Sequence, residues 1–196
     1  MRQSLRLAQE PMHPLNPSND LLRPLVRAQT WWFTGLPGAG KTTLSQAWAA
    51  HLRIRLDPVV VLDGDELRRG LTRDLGFSLA HREENMRRVA EVARLLNDSG
   101  VHALVALVSP TLQGRATARE IIRSERFVEV FVATPLAVCQ ARDPVGLYQR
   151  AANHEPIGLT GVQSAYEAPL SPDLSINTHV VSVDDAVVLL AQFQRL

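Results

Sequence analysis

An α/β domain, with helices on both faces of a parallel sheet, is the architecture that three features of this 196-residue sequence predict. Short β-branched runs alternate with longer stretches whose apolar residues recur at helical spacing. Several of those runs are apolar throughout, as strands covered on both faces must be. One of them, Trp31-Trp32-Phe33-Thr34, leads through a glycine-rich turn into a helical pattern beginning at Lys41.

That turn sets the rest. Gly35, Gly40, Lys41 and Thr42 occupy the fixed positions of a phosphate-binding P-loop, G-x-x-x-x-G-K-[ST]. Glycines let backbone N–H groups turn inward around an anion, and the helix that follows presents its positive N-terminus to the same anion. Gly35, Leu36, Pro37, Gly38, Ala39, Gly40, Lys41, Thr42 and Thr43 are therefore expected to hold ATP. Lys41 would reach its β- and γ-phosphates, and the Thr42 hydroxyl would help hold Mg²⁺. The four fixed positions arise by accident in about one chain in a hundred of this size. Context lowers those odds: Ser45 to Leu52 holds no helix breaker, and Leu44, Trp48 and Leu52 recur at helical spacing. Lys41 is also the only lysine among twenty arginines, which suggests that a guanidinium fork does not suit this position. An ordinary glycine-rich turn is the plainer alternative. The architecture expected is a single-domain P-loop NTPase of the nucleotide-kinase type, with ligands beyond the carboxyl ends of the strands.

Bulk properties exclude other classes. A net charge of +1 gives no case for a broad nucleic-acid or membrane surface. Cys139 stands alone, which removes an internal disulfide framework and fits a reducing, cytoplasmic setting. The six histidines form neither H-E-x-x-H nor a Cys/His cluster. No apolar run approaches the ~20 residues that span a bilayer, and no continuous apolar core marks a secretory signal.

In chain order, residues 1–28 read as an irregular leader rich in Pro, Arg, Asn and Gln, with a short helix near Leu21 to Val26. The kinase domain is expected over 29–196. After the P-loop helix, Pro58 to Leu62 reads as a buried parallel strand ending in Asp63-Gly64-Asp65. A helix from about Arg82 carries Met86, Val89, Ala90, Ala93 and Leu96 on one face, with Gly100 closing it. Strands follow at His102 to Val108 and Phe127 to Val132. A short one lies at Leu174 to Ile176 or His179 to Val183, before a last helix from Val183 to Leu196.

Polar residues that close apolar strands are the candidates for chemistry. Asp63 and Asp65, two apart on an extended chain, point to one side, and Gly64 permits a sharp departure. Beside Mg²⁺ and a phosphate, one can hold the ion while the other accepts the proton of an attacking hydroxyl. The plainer alternative makes Asp65 the N-cap of the segment from Glu66. Arg82 and Asn85 continue the core-facing stripe where it opens over the site, whereas Arg87 and Arg88 lie off it and read as solvated. Arg68 follows the Asp pair. Arginines gathered near a P-loop point to a second anionic group besides ATP, with a charged surface helix as the alternative. The stretch Ala141 to Arg150 reads as part of a lid over about 142–165, with Arg142 facing the nucleotide and water excluded on closure. A packed surface helix is the competing reading. On composition alone, Phe77 is core and Cys139 a small buried residue.

From about Trp32 to Thr178 the chain resembles the adenylyl-sulfate kinase (APS kinase) family. The resemblance runs through Trp32-Phe33-Thr34-Gly35-Leu36, Asp63-Gly64-Asp65, Arg68, Gly70-Leu71 and Arg73-Asp74-Leu75-Gly76-Phe77-Ser78. It continues in Arg82-Glu83-Glu84-Asn85, Ser109-Pro110, Arg142-Asp143-Pro144, Gly146-Leu147-Tyr148, Thr160-Gly161 and Tyr166-Glu167-Ala168-Pro169. It implies transfer of the ATP γ-phosphoryl group, with Mg²⁺, to the 3′-hydroxyl of adenosine 5′-phosphosulfate (APS), giving the sulfate donor PAPS. It also implies Asp65 as base, Asp63 beside the metal, Arg68, Arg82 and Asn85 on the phosphosulfate and ribose, and Phe77 stacked on the substrate adenine. Ser109 matches a serine often described in the family as a phosphoserine intermediate; a substrate-binding hydroxyl or a turn before Pro110 are the other readings. Family members are often dimers, so a homodimer is the expected assembly.

The departures fall on one side. Thr111, Leu112 and Gly114 stand where the family usually has an aromatic residue, an arginine and an aspartate. Val145 replaces the lysine of D-P-K-G-L-Y, Leu159 the phenylalanine that would close the adenine sandwich, and Glu66 an asparagine. Two other readings therefore stay open: a related kinase with a different hydroxyl acceptor, and a nucleotide-binding partner protein that no longer catalyses.

Overall fold

The computed structural model describes residues 27–194. Of the expected leader only Arg27 and Ala28 fall within that range, and the helix expected near Leu21 to Val26 lies outside it. In order, the elements are β1 (Thr30–Thr34), α1 (Lys41–Ile54), β2 (Val59–Asp63), α2 (Gly64–Arg69), α3 (Leu79–Asp98), β3 (His102–Ala106) and α4 (Leu112–Ile122). After a 3₁₀ turn at Ser124–Arg126 come β4 (Phe127–Val132), α5 (Leu136–Arg142), α6 (Leu147–Ala152), β5 (Leu174–Ile176) and α7 (Val183–Gln194).

The strands form one five-stranded sheet in the order β2-β3-β1-β4-β5, with every pair parallel. β1 lies at its centre, with Trp32 level with Val105 on one side and Glu129 on the other. Side chains alternate across a strand, so β1 feeds two cores. Trp31 and Phe33 pack with Leu44, Trp48 and Leu52 of α1 and Leu190 of α7. Trp32 packs with Met86, Val89 and Ala93 of α3, Ile122 of α4 and Phe127. Aromatic pairs lock both faces: Trp31 meets Trp48 edge-on at 5.1 Å, and Trp32 stacks on Phe127 at 5.7 Å.

Three features differ from the sequence reading, one in burial and two in element boundaries. β2 is an edge strand among the described residues, and Val60 is partly exposed, so the apolar run is not buried on both faces. α3 begins at Leu79 because Ser78 caps it, its Oγ accepting the His81 N–H. β3 leaves the ladder at Ala106, since the Val108 carbonyl accepts instead from the Thr34 hydroxyl and the Gly35 N–H. Of the two sites considered for the last strand, Leu174–Ile176 forms it.

Candidate active site

Every strand points its carboxyl end at the same edge, where β1 passes into the loop from Gly35 to Gly40. Gly35 has φ +152°, and a Cβ there would lie 2.6 Å from the Val132 carbonyl. Gly40 has φ +102°, and a Cβ there would lie 3.2 Å from the Thr178 hydroxyl. Only glycine fits either place. No side chain caps α1 at Gly40, so its first N–H groups stay open to an anion. Lys41 Nζ donates to the Gly35 and Leu36 carbonyls at 3.0 and 2.8 Å. Burial pulls its pKa down to about 8, against the opposing charges of Asp63 and Asp65 and the neighbouring Cys139.

Asp63 closes β2 and performs two tasks. Its Oδ2 accepts from the Thr42 hydroxyl at 2.7 Å, and its Oδ1 caps α2 by accepting the Asp65 N–H at 2.9 Å. The cap of this segment is thus Asp63 and not Asp65. Asp65 sits in the first turn of α2, not on extended chain, and its charge is felt by both Lys41 and Arg68. The Thr42 hydroxyl and the Asp63 carboxylate are hard oxygen donors side by side at the mouth of the loop, the donor set that Mg²⁺ takes.

Across from the loop, Arg68 and Arg82 cradle Phe77. Their guanidinium carbons lie 4.3 and 5.4 Å from the ring centroid. Arg68 donates to the Leu75 and Gly76 carbonyls, and Arg82 to those of Phe77 and Gly158. Burial lowers the pKa of both arginines. Phe77 is 55% exposed, so the composition-based reading of it as core is corrected: it precedes the Ser78 cap and its ring looks into the cavity. Asn85, on α3, is buried at 6% exposure, and its Oδ1 has no partner in the protein. A buried, unpaired acceptor beside a cavity suits a ligand that donates.

Ser109 lines the cavity but is almost wholly buried, its Oγ accepting from Trp32 Nε1 at 2.9 Å. Leu159 also lines it yet packs into the core around Trp31, while Val145 is 70% exposed on the rim. Arg142 Nη1 and Nη2 donate to the hydroxyl and carbonyl of Thr178, and Nη1 also approaches the Gly38 and Ala39 carbonyls. All these groups face one continuous cavity of about 1260 Å³, above the roughly 300–1000 Å³ usual for a single small ligand. Arg87 and Arg88 lie outside it in exposed pairs with Glu84 and Asp74.

Sequence reading missed the supports of the loop. The Thr134 and Thr178 hydroxyls both donate to the Ala39 carbonyl, and the Tyr148 hydroxyl to the Pro37 carbonyl at 2.9 Å. Tyr148 stood within a noted motif, but nothing in the spacing signals the two threonines. Gly114 is explained by packing: a Cβ there would collide with the Met86 methyl. Among the described residues no helix is long and apolar enough to cross a membrane.

Comparison with known proteins agrees with this geometry. A family model described as adenylylsulphate kinase matches residues 27–177. An adenylyl-sulfate kinase of Shewanella amazonensis is 48% identical over 167 residues, covering 85% of this chain and 84% of its own. One from Yersinia pestis is 50% identical over 145 residues, 74% of this chain and 68% of its own. Among solved structures, the Mycobacterium tuberculosis APS kinase CysC in complex with AMPPNP and APS superimposes with a TM-score of 0.83 at 41% identity. That match covers 87% of this chain and 99% of the other.

Proposed function

This chain belongs to the adenylylsulphate kinase family, and from that premise we propose that it phosphorylates the 3′-hydroxyl of APS at the expense of ATP, giving PAPS and ADP. The observation that carries the proposal is the single cavity, in which the P-loop and Asp65 face Phe77, Arg68, Arg82 and Asn85. A relative 41% identical has been solved with an ATP analogue and APS together, which supports a site for both.

In this reading the loop amides from Gly35 to Thr43 and the N-terminus of α1 hold the triphosphate. Lys41 exchanges its two carbonyl partners for β- and γ-phosphate oxygens. Arg142 borders the nucleotide. Phe77 stacks on the acceptor adenine, Arg68 and Arg82 meet the phosphosulfate, and Asn85 Oδ1 accepts from the ribose. Asp65 takes the 3′-hydroxyl proton as that oxygen attacks the γ-phosphorus and the bond to the β-bridging oxygen breaks. Thr42 and Asp63 would hold Mg²⁺, which would neutralise charge on the triphosphate. Ser109, with its oxygen already accepting from the Trp32 indole, serves as a wall of the acceptor site and not as a phosphate carrier. The segment 142–165 is a lid that excludes water from the γ-phosphoryl group. A homodimer in the cytoplasm completes the proposal; light scattering of the purified chain tests the assembly.

A coupled assay of ADP release with and without APS tests the function. APS-dependent turnover is expected. Val145 and Leu159 favour one second reading, a kinase with another hydroxyl acceptor, since neither offers the acceptor a cation or a ring. ATP binding with turnover only on such an acceptor would replace the first reading.

A further inference from the structure

Arg115, on α4, is a buried charge that the reaction above leaves without a task; it does not line the cavity. Its guanidinium joins three pieces of chain. Nε donates to Glu129 Oε1 on β4 at 2.8 Å, Nη1 to the Ser109 carbonyl at 2.6 Å and Nη2 to the Glu167 carbonyl at 2.7 Å. Each contact uses a different corner of the fork, an arrangement that an ammonium cannot reproduce.

The groups it joins are not ordinary core. Ser109 has φ +48°, a left-handed conformation that non-glycine residues adopt only when their surroundings hold them there. Trp32 Nε1 fixes its hydroxyl, and the Thr34 hydroxyl, which reaches the Val108 carbonyl, also meets the Tyr166 hydroxyl at 2.9 Å. On the far side, the Glu167 N–H donates to the Pro110 carbonyl at 2.8 Å, and Glu167 Oε2 accepts the Leu112 N–H at 2.7 Å. The Tyr166–Glu167 segment follows the proposed lid directly. It is thus laced onto the turn at Ser109 and Pro110, which does line the cavity beside Asn85 and Met86.

We infer that Arg115 is a positioning residue for the acceptor: it ties the downstream base of the lid to the Ser109–Pro110 wall and holds that wall in register with Asp65. The inference rests on the phosphoryl transfer proposed above. In-line transfer tolerates little drift of the acceptor oxygen, and a displacement of about 1 Å costs up to about 10²-fold. The loop proposed to hold ATP has its own supports in Thr134, Thr178 and Tyr148 and meets the strapped turn only where the Gly35 N–H donates to the Val108 carbonyl, so loosening the strap bears chiefly on the acceptor.

The test uses the full chain with Arg115→Lys and Glu167→Ala, the second an exposed position whose loss leaves the core intact. Steady-state constants for both substrates are read beside amide hydrogen exchange. For Arg115→Lys, kcat/KM for APS is expected to fall at least about tenfold, with a share of the loss in kcat, while KM for ATP stays within about twofold. Exchange at Leu112 and Glu167 should quicken while that at Leu44 in α1 is unchanged. Glu167→Ala keeps the carbonyl that Arg115 meets and removes the parallel side-chain contact to Leu112, so it tests the lacing itself; the same split, about twofold to threefold, is expected, and its absence overturns the inference even if Arg115→Lys does not fold. Equal changes for both substrates, or none, overturn the inference and leave Arg115 as a core ion pair. If the unaltered chain turns over no APS, the proposed function falls. Unchanged exchange in Arg115→Lys would then still refute the lacing independently.

Discussion

The two ends of the cavity are made of different material. The end proposed for the triphosphate is main chain: glycines at positive φ, the open amides of α1, and one ammonium resting on two carbonyls. The end proposed for the acceptor is side chain: a ring, two guanidiniums, an amide and two aliphatic groups brought together from α2, α3, the turn between them and the segment 142–165. A backbone cradle is set by the fold and changes only if the fold does. A wall of side-chain tips can be altered one residue at a time. Of the departures from the family pattern, Val145 and Leu159 line the cavity, whereas Glu66, Thr111, Leu112 and Gly114 lie outside it, and the loop keeps its fixed positions.

Substitutions that sharpen this contrast can be ranked. Asp65→Asn, at the seam between the two ends, should lower kcat by about 10³ with both KM values within about threefold, measured by coupled ADP release. Lys41→Arg should lower kcat/KM for ATP by about 10², because the planar fork cannot occupy the site between the Gly35 and Leu36 carbonyls. If arginine worked there, the loop would not be the rigid cradle described. Phe77→Ala should do the converse, raising KM for APS by roughly 5- to 150-fold, equivalent to about 1–3 kcal/mol of stacking, with ATP binding untouched. Isothermal titration with each nucleotide separates the two effects.

The pH dependence belongs to the triphosphate end alone. In the free protein the Lys41 ammonium loses its proton near pH 8, and a bound triphosphate favours the charged form. Below about pH 8 the charge is already present. Above it, binding must draw in a proton, so ATP affinity should fall by up to about tenfold per pH unit. Titrations in buffers of different ionisation enthalpy would report the uptake, and its absence would mean that Lys41 stays charged throughout. The smallest effect is on the rim: Val145→Lys should lower KM for APS by about twofold to fivefold, the usual worth of an exposed charge pair. Leu159→Phe is a poorer probe, since Leu159 packs into the core and overfilling it costs about 1–3 kcal/mol.

The same contrast explains what the sequence disclosed. The loop was legible because its geometry tolerates few residues: only glycine fits at Gly35 and Gly40, and the strand and helix flanking it have their own periodicities. The acidic pair was legible as a pair, but its conformation was not. Whether Asp63 or Asp65 caps α2 depends on where the chain turns after β2. Phe77 was misjudged on composition, because apolarity says nothing of whether a ring faces a core or a ligand. The place of β2 at the sheet edge was equally invisible, since an apolar run does not reveal how many neighbours it has. Arg115, Thr134 and Thr178 escaped notice because their partners lie far off in sequence. Such contacts leave no periodic trace.

A solitary lysine at the end of a half-buried loop makes this chain its own reporter. A lysine-directed endoproteinase has a single cut to make, between Lys41 and Thr42, at the start of the first helix. The rate at which the chain falls into two pieces therefore measures how often that loop springs open, and a docked nucleotide should slow the scission. No engineered tag is needed to watch the nucleotide come and go.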